Sequence, residues 1–257
     1  MKIHFLGTCC GAEPIPGRRH ASVAVESMEH IYLFDAGENC AYTAHLMGID
    51  LLKISKIVIS HPHMDHMGGL GNLLAHIRKI ASNKKVAPLY GTLEVYTPSM
   101  DVWEGTMLIL CNPAENLLKD LPVIAKLVDE GIIFDDGIMR VTAVPNTHLE
   151  HITSPKCLSF SYIIECEGKR VIYSGDVGKY EDLDAILEEG CNGLIIETGH
   201  FSFEQACNYF KTKVVERVFF SHNGRSIINN PVFAQERVKT LLGDKALICE
   251  DGMSVIL

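Results

Sequence analysis

The sequence of 257 residues lacks several features that mark whole classes of protein. No stretch reaches the ~18 consecutive apolar residues that a membrane-spanning helix needs, and the apolar run within residues 1–7 is too short for a signal peptide. Low-complexity segments and linkers rich in Pro, Gly or Ser are also absent from the sequence. We therefore expect a cytoplasmic protein with no membrane partner, folded as one domain over residues 1–257.

Positive charge is scarce as well. Lys and Arg number 23 against 32 Asp and Glu, which gives a formal net charge of -9. Such a chain has no global basic footprint for nucleic acid or an anionic membrane, although a local patch or bound cations can reverse the field. The balance disfavours a nucleic-acid substrate and favours a small molecule.

Cysteine offers no sign of a disulfide framework. The chain has nine cysteines, an odd number, and no Cys-x-x-Cys pair. In a cytoplasmic chain most of them are expected to be reduced, small core residues. The first candidates for metal ligands are histidine and carboxylate side chains, and a ligand or redox role for Cys9-Cys10, on a predicted loop, stays open.

One short segment concentrates those side chains. Three imidazoles and a carboxylate lie within six consecutive positions of the run Ser60-His61-Pro62-His63-Met64-Asp65-His66. A β-branched apolar run precedes them and a glycine-rich segment with a helical pattern follows, so they occupy a strand-to-helix loop. His61 and His63 are two apart in an extended segment and point the same way, whereas Asp65 and His66 follow the turn. One loop can thus serve two neighbouring metal ions.

The rest of the chain alternates strand and helix patterns. The predicted strands cover residues 2–6, 21–26, 31–35, 57–60, 86–90, 93–97, 139–144, 158–165, 170–173, 193–197, 218–221, 246–249 and 253–257. The predicted helices cover residues 41–47, 71–81, 102–110, 121–127, 181–189, 203–211 and 231–242. Strand groups with helices outside them predict an α/β (α+β) fold with two sheets face to face, each covered by helices.

Three later residues of metal-binding type follow or end predicted strands: His148, Asp176 and His222. His148 comes directly after its strand and is the favoured ligand there. His151, three residues further on, is the alternative, because either ring can reach a metal.

The form His-x-His-x-Asp-His resembles the signature of the metallo-β-lactamase-fold superfamily of metallohydrolases. The resemblance extends in order through Leu6-Gly7-Thr8, Asp35-Ala36-Gly37, His61 to His66, His148, Ser174-Gly175-Asp176 and Ser221-His222. It implies a four-layer αβ/βα sandwich. It also implies that His61, His63 and His148 hold one metal ion, that Asp65, His66 and His222 hold the other, and that Asp176 bridges them. An all-nitrogen and oxygen site suits two divalent ions, zinc first, with manganese or iron as alternatives.

The resemblance also implies a mechanism. Two cations lower the pKa of a bridging water, so that metal-bound hydroxide is the nucleophile, and Asp65 both binds a metal and orients that hydroxide. Glu197 and His200 end a predicted strand near the mouth of the site. The position of His200 is similar to that of the general acid in the phosphoribosyl cyclic phosphodiesterase branch, close to ribonuclease Z. Arg225, on a glycine-bearing loop, is a candidate to bind the substrate phosphate.

These residues predict a dinuclear metallohydrolase, a phosphodiesterase on small or cyclic phosphate esters. The alternatives are ribonuclease Z-like RNA processing, for which no Gly/Pro-rich basic arm is evident, and a lactone or thioester hydrolase with the same metals. A metal-binding biosynthetic protein without turnover is a third alternative. Residues 82–135 carry the weakest pattern, and we expect them to form a wall that supplies substrate contacts or a homodimer surface.

Overall fold

The computed structural model describes residues 1–11, 14–150, 154 and 156–257. The strands are β1 Lys2–Gly7, β2 Ser22–Ser27, β3 His30–Phe34, β4 Ile54–Val58, β5 Leu93–Thr97, β6 Cys111–Asn112, β7 Glu115–Asn116, β8 Val123–Leu127, β9 Gly131–Asp135, β10 Met139–Pro145, β11 Phe160–Cys166, β12 Lys169–Tyr173, β13 Cys191–Thr198, β14 Val215–Asn223, β15 Ala246–Ile248 and β16 Met253–Ile256. The α-helices are α1 Cys40–Leu46, α2 Met64–Met67, α3 Leu70–Lys84, α4 Met100–Leu110, α5 Asp184–Leu187, α6 Phe203–Phe210, α7 Arg225–Ile228 and α8 Pro231–Leu242.

Two mixed sheets of seven strands form the centre of the fold. The first has the order β16-β1-β2-β3-β4-β5-β8, and the second has the order β15-β14-β13-β12-β11-β10-β9. In the first sheet β3, β4, β5 and β8 run parallel to one another, and in the second β12 to β15 do the same. The remaining pairs are antiparallel.

The layers follow from strands that are apolar on both faces. Phe34 packs into the core between the sheets, while its neighbour Leu33 packs under the first set of helices. In the second sheet Phe219 faces the inter-sheet core and Phe220 faces the core under the second set of helices. Successive residues of a strand point to opposite faces, so each sheet is covered on both sides. This is the four-layer αβ/βα sandwich expected from the sequence.

The carboxyl ends of the parallel strands position the candidate site. β4 leads into the loop with His61, and β12 leads into the loop with Asp176. His222 lies near the end of β14, beside the end of β13. Because parallel strands bring their carboxyl ends to one edge of a sheet, residues far apart in sequence meet there.

Two details of the predicted secondary structure are wrong. The apolar pattern of residues 121–127 predicts a helix, but Val123–Leu127 is an edge strand that pairs in parallel with β5. The apolar content of this segment fits either structure, and the free edge of β5 decides between them. Residues 86–90 form no strand. In the described part of the chain, no helix combines the length and apolar character needed to cross a membrane.

Candidate metal centre

Local structure separates the four metal-type side chains of the first loop. His61 and His63 lie on extended backbone after β4, whereas α2, a single turn, carries Asp65 and His66. His61 and His66 are fully buried, and Asp65 is half-buried. The strand-to-helix loop predicted from the sequence is present.

The first group of donors consists of His61, His63, His148 and Asp176. His148 Nε2 lies 3.4 Å from His63 Nδ1. Asp176 Oδ2 lies 3.7 Å from His61 Nε2 and 3.8 Å from His148 Nε2. Zinc–nitrogen bonds of about 2.0–2.1 Å separate tetrahedral donors by about 3.4 Å, so these spacings suit one cation.

The second group consists of Asp65, His66, Asp176 and His222. Asp176 Oδ1 lies 3.2 Å from His66 Nε2 and 3.4 Å from His222 Nδ1. Asp65 Oδ2 lies 3.0 Å from His222 Nε2 and 3.4 Å from His66 Nε2. Asp176, which is 1% exposed, therefore turns one oxygen to each group. That is the arrangement of a bridging carboxylate.

Unpartnered polar atoms support the same interpretation. His61 Nε2, His66 Nε2, Asp176 Oδ1 and His222 Nδ1 are buried and have no hydrogen-bond partner among the described residues. Buried polar atoms without partners are unusual in proteins because each one loses its interaction with water. Nitrogen and oxygen donors that converge in this way fit divalent cations.

Asp35, directly after β3, forms hydrogen bonds that support the donor groups on the side away from the cavity. The side chain is 0% exposed and its backbone is left-handed, with φ 59°. Asp35 Oδ1 accepts a hydrogen bond from the Ser60 amide at 2.6 Å, and Oδ2 accepts one from the Ser60 hydroxyl at 2.7 Å. Asp35 Oδ2 also accepts from His66 Nδ1 at 2.7 Å and from the Tyr173 hydroxyl at 2.7 Å.

These bonds fix the tautomers of two imidazoles. A carboxylate only accepts, so His66 carries its proton on Nδ1 and Nε2 is left for a cation. The Ser60 hydroxyl donates to Asp35 and so accepts from His61 Nδ1, 3.0 Å away. No role for Asp35 or Ser60 was predicted from the sequence. The available signal was an acidic residue at the end of the strand next to β4.

The electrostatics favour the cation-binding forms of His61, His148 and Asp176. Burial lowers the pKa of His61 well below its ordinary value, with His66 adding to the effect. Burial also lowers the pKa of His148, to about 4. For Asp176, burial would raise the pKa, but His222 and His66 outweigh it and hold the pKa well below its usual range. Neutral imidazoles and an ionised carboxylate are the ligand forms. For His66 and His222 burial would lower the pKa, but Asp176 outweighs it and raises both values, so a cation has to displace a proton from each of these two imidazoles.

Beside the second group, Glu197 and His200 form a tight pair. His200 Nδ1 lies 2.9 Å from Glu197 Oε2, and this hydrogen bond raises the pKa of His200 from its ordinary value. Glu197 is 1% exposed and also accepts from the backbone amides of Val177, Gly199 and His200. The donors to Glu197 favour a role for its carboxylate as an anchor for the His200 imidazole. Glu197 and His200 also form a third possible donor group with Asp176 and His222.

A cavity of about 530 Å³ opens above the second group. His63, Asp65, Asp176 and His222 contribute to its lining. Its wall includes Cys10, Gly11, Thr198, Gly199, His200, Phe201, Ser202, Arg225 and Ser226. This volume is within the usual range for small-molecule sites.

The structure brings all the sequence-predicted site residues to one place. His61, His63, Asp65, His66, His148, Asp176 and His222 fall into the two groups, and His200 and Arg225 line the adjoining cavity. His148 is at the first group, as favoured. His151, the alternative ligand, lies outside the described residues.

Solved structures share this fold over nearly the whole chain. Human tRNase Z, short form, aligns with a TM-score of 0.72 and 20% identity, covering 100% of this chain and 99% of that one. The metallo-β-lactamase fold protein YhfI from Bacillus subtilis aligns with a TM-score of 0.72 and 18% identity, covering 99% of this chain and 98% of that one. A diphosphatase of the PhnP family aligns with a TM-score of 0.70 and 16% identity, covering 100% of this chain and 97% of that one.

The two-sheet sandwich is the metallo-β-lactamase fold, and its histidine and aspartate groups form a candidate centre for divalent metal ions. This confirms the superfamily and the fold expected from the sequence. The chain belongs to the family described as Anti-Pycsar protein Apyc1, whose sequence model matches residues 1–217. Ribonuclease Z from Listeria welshimeri is 29% identical over 204 residues, which are 77% of this chain and 60% of that enzyme. The chain therefore spans less than two thirds of this curated relative.

Proposed function

We propose that this chain is a dinuclear phosphodiesterase that hydrolyses small or cyclic phosphate esters in the cytoplasm. One observation carries the proposal: the two carboxylate oxygens of Asp176 face two separate donor groups on the floor of a cavity. Two bound divalent cations, zinc first and manganese or iron as alternatives, would supply charge neutralisation at the phosphate and activation of water.

Asp65 is proposed to combine two duties. Its carboxylate belongs to the second donor group and also lines the cavity. Burial would raise its pKa, but hydrogen bonds from His222 and His66 outweigh this and hold the pKa below its usual range. An ionised Asp65 can accept a hydrogen bond from the attacking water and so orient it toward phosphorus.

His200 is the proposed general acid. Its Nδ1 is engaged by Glu197, which leaves Nε2 to donate a proton to the leaving oxygen. The raised pKa of His200 keeps the imidazolium present at higher pH than a free histidine would allow. An alkoxide is a poor leaving group, so a phosphodiester gains more from such an acid than a lactone does.

Arg225 completes the proposed site. It begins α7, next to Ser226, and both residues line the cavity that holds His200. A guanidinium in that wall can hold a phosphate oxygen through paired hydrogen bonds. A cavity of about 530 Å³ accommodates a small or cyclic ester.

Ribonuclease Z-like RNA processing is the second candidate, favoured by the name of the Listeria relative. The net charge of -9 argues against it, because RNA affinity depends largely on cationic contacts to phosphates. The two activities differ in where the substrate binds: a small ester fits within the cavity, whereas RNA needs a surface beyond it.

A substrate panel tests the proposal. We expect bis(p-nitrophenyl) phosphate and cyclic nucleotides to be hydrolysed, and the activity to stop on chelation and return when divalent cation is added back. Lactones, thioesters and a tRNA precursor complete the panel. Lactone cleavage with inert phosphodiesters would overturn the choice, and cleavage of the precursor alone would favour the second candidate.

Replacing the proposed acid should impair catalysis more than binding. His200→Ala should lower phosphodiesterase kcat by about 10²-fold, with KM little changed, when both are measured across a pH series. Because the acid must be protonated, wild-type kcat should fall as pH rises through the raised pKa of His200, and the variant should lack this decline. The control is His76→Ala, at an exposed position on α3. An unchanged kcat in His200→Ala would remove His200 from the mechanism.

A further inference from the structure

The donors to Asp35 come from both halves of the fold. Ser60 lies in the loop after β4 of the first sheet, and His66 lies on α2, which follows that loop. Tyr173 is the last residue of β12 in the second sheet, and its side chain crosses the interface between the sheets. It is 5% exposed, and its hydroxyl lies 2.7 Å from Asp35 Oδ2. Among the bonds described for the Asp35 carboxylate, this one alone comes from the second sheet.

The same strand leads directly to the bridging carboxylate. After Tyr173 the chain continues through Ser174 and Gly175 to Asp176. Gly175 packs closely on the first loop, because a Cβ placed there would lie 2.9 Å from Ser60 Cβ. Its φ of 56° is also a conformation that L side chains rarely adopt. The Tyr173 hydroxyl thus joins the strand that ends at Asp176 to the carboxylate that holds His66.

We propose that Tyr173 is a positioning residue for the second cation. Through Asp35 it holds His66 Nε2 at 3.2 Å from Asp176 Oδ1, the spacing that one shared cation needs. The inference rests on the proposed dinuclear function. It adds a residue that touches neither cation nor substrate and acts on one half of the centre.

The reason for this selectivity lies in the bonding pattern. His66, a second-group donor, bonds directly to the oxygen that accepts from Tyr173. His61, a first-group donor, reaches the same oxygen only indirectly, through the Ser60 hydroxyl, and the Ser60 backbone amide is held separately by Asp35 Oδ1. Loss of the phenol hydroxyl should therefore loosen His66 while leaving His61 in place.

Tyr162 provides a matched control. It stands directly opposite Tyr173 on β11, is 0% exposed, and its hydroxyl donates to the backbone carbonyl of Ile59 at 2.7 Å. Both rings pack against Phe34. Tyr162→Phe and Tyr173→Phe each remove one buried hydroxyl that supports the same loop, but only Tyr173→Phe removes a bond to Asp35.

The test is a zinc titration of the metal-free full-length chain against a chromophoric chelator, with a thermal melt of each apo protein. Wild type should bind two ions. Tyr173→Phe should bind the first ion as wild type does and the second about tenfold more weakly, the lower end of the effect expected for residues outside the ligand shell. Tyr162→Phe should bind both ions as wild type does.

The outcomes separate the inference from the function on which it rests. Fewer than two ions on wild type would contradict the dinuclear proposal itself. Two ions of wild-type affinity on Tyr173→Phe, or equal weakening in both variants, would overturn the role of Tyr173 alone. Both apo variants can melt at a lower temperature than wild type. Weaker binding of the second ion in Tyr173→Phe alone supports a positioning role, because a purely structural role would not change that one affinity selectively.

Discussion

Asp176→Asn should bind at most one divalent cation per chain and should lose the proposed phosphodiesterase activity by about 10³-fold or more, since losses at supporting residues alone reach 10–100-fold. The physical reason is the division of its two oxygens between the donor groups. The amide keeps one oxygen as a ligand and turns an N–H pair toward the other group, where it repels a cation. Metal analysis after gel filtration and steady-state kinetics on one phosphodiester measure both effects.

Asp244→Asn is the matched control for this change. The Asp244 side chain is 91% exposed and pairs only with Lys239 among the described ion pairs, so the same substitution there should change neither metal content nor rate. Two tightly held ions and near-wild-type kcat in Asp176→Asn would contradict the bridging role of Asp176.

The second large effect is expected at Asp35. Asp35→Asn should lower the free energy of unfolding of the metal-free chain by about 3–5 kcal/mol, because four donors meet the two oxygens of this buried carboxylate and an amide offers only one oxygen to accept from them. Asparagine tolerates the left-handed backbone of this position, so the change isolates the side chain. Urea unfolding in chelator measures the loss.

The same variant should also bind its second cation 10–100-fold more weakly. The neutral amide lacks the negative charge that holds the proton on His66 Nδ1, so the tautomer that leaves Nε2 for the cation is less favoured. Asp136→Asn is the control. The Asp136 carboxylate accepts a hydrogen bond from the Tyr32 hydroxyl and forms an ion pair with Lys56. Asp136 precedes β10, whereas His148 follows the other end of that strand. It should reduce stability without altering metal affinity. If both variants bound metal equally well, Asp35 would have only a structural role.

Much of the fold and of the donor set could be predicted from the sequence because the informative residues sit where strands end. His61 and His63 follow a β-branched run, and Asp176 and His222 also mark the ends of apolar strands. Parallel strands deliver their ends to one edge, so a pattern along the chain becomes a cluster in space. The position of His200 beside this cluster follows in the same way from the end of β13.

The parts that could not be predicted depend on contacts between distant segments. The strand at Val123–Leu127 forms because the edge of β5 is free, and local periodicity does not record that edge. Asp35 and Tyr173 are 138 positions apart, and neither has a neighbouring motif that indicates a hydrogen bond between them. Asp35 can hold His66 and bond to Tyr173 only because the two sheets pack against each other in the folded protein.

If the proposed cations bind, the distribution of their donors over the two sheets would link folding to the supply of metal. His63 and His148 are 85 residues apart and Asp65 and His222 are 157 apart, so each proposed cation closes a long loop between the halves. In an unfolded chain, closing such a loop of n residues costs a free energy of about (3/2)RT ln n because conformational entropy is lost, so the unfolded chain would bind metal poorly. Binding that favours the folded state raises its stability by RT ln(1 + [L]/Kd) for a free ion concentration [L]. The amount of folded protein would then follow the availability of the ion, independently of any substrate.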